Sequence, residues 1–152
     1  MPKVLLGSNI NLRYRQWDVA LQVNGAFGHK IYNGTALTYM NMNSLPGYNI
    51  LADAPQRNIK DQTATDYWLE HGDYVHFDYL TLGWNVPLGQ KVQRTISNLR
   101  LALTVNDLGT ITGYSGLTPM INSSSAGGTL GVDDKNVYPV TRSYYLGVTI
   151  TF

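Results

Sequence analysis

The side chains that could carry catalysis or hold a metal ion are few and stand apart along the chain. The three histidines are His29, His71 and His76. No two of them have the spacing of a metal pair on one element. The carboxylates of Asp61, Asp66 and Glu70 have no partner base beside them, which acid–base catalysis would require. We therefore predict no catalytic, cofactor-binding or metal site, and a protein that is not an enzyme.

Four aromatic side chains are better candidates for a binding role. They are Tyr39, Tyr48, Trp68 and Tyr114, and they stand in two long segments without strand periodicity. Rings in such loops could stack on a sugar or a peptide, or contact a partner that covers the loops. The alternative is that they hold their own loops together, because long ordered loops need such anchors. The sequence favours the second interpretation and leaves the first open.

The composition excludes several functional classes. The net charge is +1 and no basic run occurs, which gives no basis for nucleic-acid binding. The absence of cysteine excludes disulfides and thiolate chemistry. Charged residues make up only 14% of the chain, against roughly a quarter in soluble domains. No apolar stretch reaches the roughly 18–20 residues of a membrane helix. Barrel strands have no such stretch, because only every second residue in them is apolar.

Alternation of apolar and polar residues predicts five β-strands. They lie near residues 3–15, 17–32, 73–87, 98–106 and 141–152. Within the third strand the alternation changes phase near Asp78, which predicts a bulge there. Short connections alternate with long ones at residues 33–72 and 107–140. This pattern is typical of a transmembrane β-barrel whose long loops lie on the extracellular side.

The same alternation predicts which side chains face lipid and which face the barrel lumen. The expected lipid-facing residues are Leu21, Leu82, Leu101 and Val148. The expected lumen-facing residues are Asn24, Asn85, Arg100 and Thr149. The aromatic residues on the apolar face near the short connections are Tyr14, Trp17, Trp84 and Phe152. Aromatic rings in these positions are typical of the girdle at a membrane boundary.

The last predicted strand runs to the aromatic residue Phe152, which we expect to be its final residue. Val148 and Ile150 share its face, and outer-membrane barrels finish in this way. We predict that Val148, Ile150 and Phe152 form an assembly signal for the outer-membrane insertion machinery. The alternative is that Phe152 only fills the aromatic girdle.

Four segments resemble SusC/RagA-type TonB-dependent transporters of Bacteroidetes, in the order in which that family has them. Residues 25–33 are similar to its Gly-x-x-x-Ile-Tyr-Asn element, and residues 67–87 to its strand ending in Leu-Gly-Tyr-x-x-Pro. Residues 106–119 contain Asn-Asp-Leu and a version of its Tyr-Ser-Gly-x-Asp-Pro loop, with Thr118 in place of the usual Asp. Residues 131–152 resemble its closing segment.

The resemblance implies an all-β fold, an antiparallel up-and-down transmembrane β-barrel wall made of the C-terminal five strands of a barrel of about 22 strands. It implies active import of a nutrient, a glycan or a peptide, across the bacterial outer membrane. The implied partners are a SusD-like surface lipoprotein acting as a lid, the outer-membrane lipids, the remainder of the barrel, and the TonB–ExbB–ExbD system pulling on a plug domain.

No segment of the 152 residues resembles a plug domain, a TonB-box segment or an export signal. We therefore expect the chain to be part of a larger protein. Five strands alone would also leave two unsatisfied sheet edges in lipid. The alternative function is a soluble β-rich binding or adhesion module.

Overall fold

The computed structural model describes residues 1–90, 93–121, 131–134 and 137–152. Its strands are β1 (Val4–Tyr14), β2 (Trp17–Phe27), β3 (Lys30–Asn33), β4 (Leu69–His71), β5 (Tyr74–Asn85), β6 (Asn98–Thr112), β7 (Val132–Asp133) and β8 (Ser143–Thr151). The helices are α1 (Gly34–Tyr39) and α2 (Ala54–Arg57), with single 3-10 turns at Met42–Ser44 and Asp66–Trp68. Within the described ranges, no helix combines the length and the apolarity that crossing a bilayer requires.

The chain divides into two compact units. The sheet unit consists of Leu5–Gly25, Val75–Ile111 and Val140–Phe152. The loop unit consists of Met1–Val4, Ala26–Tyr74 and Thr112–Pro139. Part of the second long connection, residues 122–130, 135 and 136, lies outside the described residues.

Five strands form one sheet in the order β1-β2-β5-β6-β8. The register of β6 and β8, which are antiparallel, separates the side chains by polarity. Leu99, Leu101 and Leu103 lie opposite Ile150, Val148 and Leu146, respectively. The intervening pairs are Arg100 with Thr149 and Ala102 with Gly147. Since successive side chains point to opposite faces, one face of this pair is apolar and the other is polar or small.

The second strand is shorter than its sequence pattern predicts. The alternation runs to residue 32, but β2 ends at Phe27. Gly28 has a left-handed φ of +75°, and its N–H donates a 2.6 Å hydrogen bond to Oδ1 of Asp73. The chain turns there and continues as β3 in a different sheet. The continuous alternation therefore belongs to two elements, and the contact that separates them is distant in sequence.

The fourth predicted strand is longer than expected, because β6 continues beyond residue 106 to Thr112. Asp107 has a φ of +53° and Gly109 a φ of +156°. These backbone conformations disturb the alternation, which is why the sequence pattern stops before the strand does. The hydroxyl of Thr112 donates a 2.8 Å hydrogen bond to the carbonyl oxygen of Asp73. The second long connection consequently begins after residue 112 rather than at residue 107.

A change of phase in β5 falls where the sequence pattern predicts a bulge. Asp78 and Tyr79 are consecutive, yet both side chains contact polar residues of the same sheet, Asn24 on β2 and Asn9 on β1. Asp78 accepts a hydrogen bond from Asn24, and the Tyr79 hydroxyl accepts one from Asn9 over 3.2 Å. In a regular strand two successive side chains would point to opposite faces. The two side chains therefore mark a local irregularity at these residues.

The loop unit has its own small sheet and core. Strand β3 pairs antiparallel with β4 and parallel with β7. Asn33 ends β3 and begins α1, because its side-chain oxygen accepts a 2.7 Å bond from the N–H of Ala36. Ala36, Met40 and Trp68 form the buried apolar cluster. At Gly34 an added Cβ would lie 2.6 Å from the carbonyl oxygen of Asp133, so only glycine fits there.

Candidate functional site

Many large apolar side chains of the sheet unit are exposed, which is unusual for a water-soluble domain. Leu146 and Val148 on β8 are 77% and 57% exposed. Further exposed apolar side chains on β1, β5, β6 and β8 are Leu12, Leu82, Leu103 and Ile150. A contiguous surface of this kind costs about 25 cal/mol per Å² in water. In a lipid environment the same side chains would have matching neighbours.

Two tryptophans stack at one end of this apolar surface. The ring centroids of Trp17 and Trp84 lie 5.4 Å apart, and the ring planes differ by 14°. Trp17 is the first residue of β2, and Trp84 is the penultimate residue of β5. Tyr14, the last residue of β1, is also exposed. Three of the four residues predicted for the aromatic girdle thus stand at the ends of their strands.

A charged pair spans the polar face of the sheet unit. Arg100 on β6 donates to both carboxylate oxygens of Asp18 on β2, over 3.3 and 2.5 Å. Strand β5 lies between them in the sheet order. A Cβ on Gly83 of β5 would lie 2.4 Å from Nη2 of Arg100 and 2.5 Å from Oδ2 of Asp18. The absence of a side chain at Gly83 therefore makes room for the ion pair to cross the strand.

Side-chain amides continue this polar face along β1 and β2. Asn11 donates to Asn9 over 2.6 Å, Asn9 donates to Gln22 over 2.9 Å, and Gln22 donates to Asn24 over 3.4 Å. Asn24 then donates to the carboxylate of Asp78. Each amide in the series is oriented by the next, and the carboxylate at the end fixes the direction. Asn24 and Arg100, both predicted to face the lumen, lie in these polar networks.

The buried imidazole of His76 forms a second polar cluster on β5 and β6. Its Nε2 lies 3.2 Å from Oδ1 of Asp78 and 3.4 Å from Oδ1 of Asp107. Its Nδ1 lies 2.8 Å from the hydroxyl oxygen of Thr110. The two carboxylates orient one ring nitrogen and the hydroxyl orients the other. Sequence reasoning missed this cluster. The phase change near Asp78 is visible in the sequence, but the left-handed backbone at Asp107, the other carboxylate of the cluster, is not.

The residues predicted as an assembly signal lie on and beyond the last strand. Val148 and Ile150 belong to β8, and Phe152 follows its end. All three side chains are exposed, Phe152 to 83%. In the sheet order β8 stands at one end, with β6 on its inner side. A signalling role for these residues stays a prediction.

The four loop aromatics divide into two pairs with different surroundings. Tyr39 and Tyr48 contact each other edge to face, with centroids 6.4 Å apart. Trp68 and Tyr114 are only 5% and 6% exposed. Trp68 belongs to the apolar cluster of the loop unit. These two side chains therefore anchor the loop unit, whereas Tyr48 is exposed. Contact of any of the four with a substrate or a lid stays a prediction.

Tyr114 joins the start of the second long connection to β7, which lies later in the same connection. Its hydroxyl donates a 2.7 Å hydrogen bond to Oδ2 of Asp133. Oδ1 of the same carboxylate accepts a 2.6 Å bond from the hydroxyl of Thr35 on α1. Burial, followed by the hydrogen bond and the negative charge of Asp133, raises the pKa of the Tyr114 phenol. The phenol therefore remains a hydrogen-bond donor at neutral pH.

Glu70 on β4 is the centre of another connection that sequence reasoning missed. Its Oε1 accepts bonds from Asn33 over 2.8 Å and from the Ser115 hydroxyl over 2.7 Å, and its Oε2 accepts a 2.9 Å bond from the Ser115 N–H. Burial alone would raise the pKa of this carboxyl, but the hydrogen bonds from Ser115 and Asn33 outweigh it, so the pKa is lowered. The ionised form is the one that holds the segments together.

This lowered pKa predicts a pH-dependent connection. Because the folded pKa of Glu70 lies below its unfolded value, its stabilisation is complete above the ordinary glutamate pKa of about 4.3 and is lost as the pH falls through the lowered pKa. Glu70→Gln should cost roughly 1–2 kcal/mol of local stability at neutral pH and remove this pH dependence. Hydrogen exchange of the Ser115 amide, measured from pH 7 to pH 3, tests this.

The matched control for that experiment is Asp61→Asn, which removes the same charge from an exposed loop position. Asp61→Asn should leave Ser115 exchange and its pH profile unchanged. If Glu70→Gln and Asp61→Asn behaved alike, the Glu70 contacts would not hold the loop.

Comparison with known proteins finds matches over nearly the whole chain, one to a TonB-dependent receptor and others to solved structures. The TonB-dependent receptor P3 of Formosa agariphila is 26% identical over 165 residues, which cover 99% of this chain and 16% of the relative. The structure of the RagAB peptide transporter matches with a TM-score of 0.73 and 20% identity. The RagAB peptide importer in its 'closed-closed' state matches with a TM-score of 0.75 and 21% identity. No model of a known protein family matches the chain.

These similarities confirm the resemblance to SusC/RagA-type TonB-dependent transporters. They also confirm the predicted fold class, a mostly antiparallel β-sheet of the kind found in a barrel wall. The total of about 22 strands stays a prediction. The two RagAB alignments include 99% and 100% of this chain. They include only 17% of each RagAB chain. It therefore spans about a sixth of the length of these relatives.

Proposed function

We propose that this chain, as a piece of a SusC/RagA-type TonB-dependent transporter, forms part of the wall of an outer-membrane barrel that imports a nutrient. The observation that carries the proposal is the polarity of the sheet unit. Its apolar face is exposed, as on Leu146 and Val148, while its polar face is tied together by the Asp18–Arg100 ion pair. A barrel wall needs this arrangement, with lipid outside and water or a plug domain inside.

The remaining parts of the proposal rest on the family resemblance, and the relatives support some of them. Their names are those of receptors and of a peptide transporter, which supports a role in transport rather than in catalysis. The outer membrane is the proposed location, with its lipids and the remainder of the barrel as neighbours. A SusD-like surface lipoprotein is the proposed lid, and TonB–ExbB–ExbD the proposed source of energy through a plug domain. The nutrient is a glycan or a peptide.

The long connections should be reachable from outside the cell. The reason is that these connections are long, whereas the connections at the opposite ends of the strands are short. Barrels place their long loops on the extracellular side. A protease site inserted after Asn49, in an exposed stretch of the loop unit, should be cut when protease is added to intact cells.

The control carries the same site within residues 93–95, in one of the short connections. This site should be cut only after the periplasm is opened. The reverse pattern, with cleavage after Asn49 only from the periplasm, would contradict the topology. A full-length protein that fractionated as a soluble monomer would contradict the proposed function itself.

A further inference from the structure

The connection between β1 and β2 has an arginine at a position whose left-handed backbone conformation usually requires Gly, Asn or Asp. Only Arg15 and Gln16 join the two strands, and Arg15 has a left-handed φ of +53°. Tight hairpin turns favour Gly, Asn or Asp at such positions, because a side chain is strained there. The carbonyl oxygen of Gln16 accepts a 2.8 Å bond from the N–H of Asn85, which holds the turn in place. Strain at an ordered turn is a reason to ask what the arginine contributes.

The guanidinium of Arg15 is placed over an aromatic ring. Its central carbon lies 5.3 Å from the ring centroid of Tyr14. Tyr14 is 69% exposed and is the last residue of β1. Within the described part of the chain, the ion pairs of the acidic residues are made with other cations, and none involves Arg15. The positive charge is therefore stacked on one side and available to an anion on the other.

The surroundings indicate which anion fits. The stacked pair of Trp17 and Trp84 lies where β2 begins and β5 ends. This is one end of the exposed apolar surface of the sheet unit. Amphipathic rings prefer the boundary between acyl chains and headgroups. A guanidinium binds phosphate through two parallel N–H donors. A phosphodiester at this boundary would have its acyl chains beside the apolar face.

We propose that Arg15, with Tyr14 and the Trp17–Trp84 pair, binds the phosphate headgroup of a phospholipid of the leaflet next to the short connections. The inference rests on the proposed function, because it requires the sheet to stand in a membrane. Arg15 supplies the positive charge, and the ring of Tyr14 holds the guanidinium in position. The two indoles contact the part of the acyl chains nearest the headgroup. The backbone strain at Arg15 is the cost of presenting that side chain at the turn.

The decisive variant is Arg15→Gly, which removes the cation and also relaxes the left-handed backbone. The variant should therefore fold at least as well as the parent chain. The full-length transporter in mild detergent is titrated with phosphatidylglycerol, and bound lipid is counted by native mass spectrometry. We expect about tenfold weaker binding of one lipid in Arg15→Gly, and a smaller loss in Tyr14→Ala. The control is Arg94→Gln, an exposed arginine of another short connection, which should bind as the parent does.

Two further probes distinguish the source of the anion. Diacylglycerol, which has the tails without the phosphate, should not occupy the site. Inorganic phosphate at the same concentration should not displace the phospholipid. Equal lipid binding by Arg15→Gly and the parent would overturn the proposal, and so would displacement by inorganic phosphate. Arg15→Gly should still insert and show the loop cleavage described above, so failure here is distinguishable from failure of the proposed function.

Discussion

Leu101→Arg should destabilise the inserted full-length barrel by about 2–4 kcal/mol, whereas Ala102→Arg should cost far less. The two positions are neighbours on β6, so strand, depth and the new side chain are closely matched. Leu101 lies opposite Val148, and Ala102 opposite Gly147. The first pair belongs to the exposed apolar face and the second to the polar face. An arginine among acyl chains loses its hydration, but one on the polar face keeps it.

The polar face has room for the arginine side chain of the Ala102→Arg variant. An added Cβ on Gly147 would meet only Ala102 atoms at 3.8 Å, so this part of the polar face is open within the sheet unit. Reversible unfolding of the full-length protein in lipid vesicles, followed by denaturant titration, measures both variants. Equal destabilisation by Leu101→Arg and Ala102→Arg would mean that the two faces are assigned wrongly. A larger cost for Ala102→Arg would place lipid on the polar face.

The separation of side chains into an apolar and a polar face could be predicted from sequence because it depends only on period two. Leu101 and Arg100 are adjacent letters, and the pleat alone sends them to opposite faces. The register of β6 with β8 then pairs like with like, as Leu103 with Leu146. No distant contact is needed for this conclusion, so a single sequence suffices.

The boundaries of the strands could not be predicted in the same way. The end of β2 coincides with the hydrogen bond from Gly28 to Asp73, 45 residues away. The extension of β6 includes left-handed backbone at Asp107. The presence of a polar residue in a strand does not reveal this backbone conformation. In both cases a local pattern continued or stopped while the structure did the opposite. The information lay in tertiary contacts that compete with periodicity.

The polar clusters were also beyond the reach of sequence patterns. His76, Asp78 and Asp107 come together because two strands are irregular at neighbouring positions. Glu70 was interpreted as a scattered acid, but it accepts bonds from residues 37 and 45 positions away. Long-range pairing of single polar residues has no period and no motif. The aromatics Trp68 and Tyr114 show the converse, since the interpretation as loop anchors agrees with their burial.

Deletion of Phe152 should sharply lower the amount of full-length protein inserted in the outer membrane. The last strand β8 stands at an end of the five-stranded sheet, with Val148 and Ile150 exposed on one face. Before the barrel closes, such a strand presents an unpaired edge and an apolar face together. We expect the insertion machinery to bind this combination together with the aromatic ring of Phe152. The few molecules that insert without Phe152 should have nearly normal heat stability.

The girdle interpretation makes the opposite prediction for the same variant. If Phe152 only fills the membrane boundary, insertion should be unchanged and heat stability should fall slightly, because one exposed ring is lost from the boundary. Tyr14→Ala is the matched control, since it removes another exposed girdle ring far from the end of the chain. Membrane-inserted amount and heat-modifiability are measured for both variants. A loss of insertion confined to the Phe152 deletion would identify the signal, because both variants lose a ring but only the deletion removes the residue that follows β8.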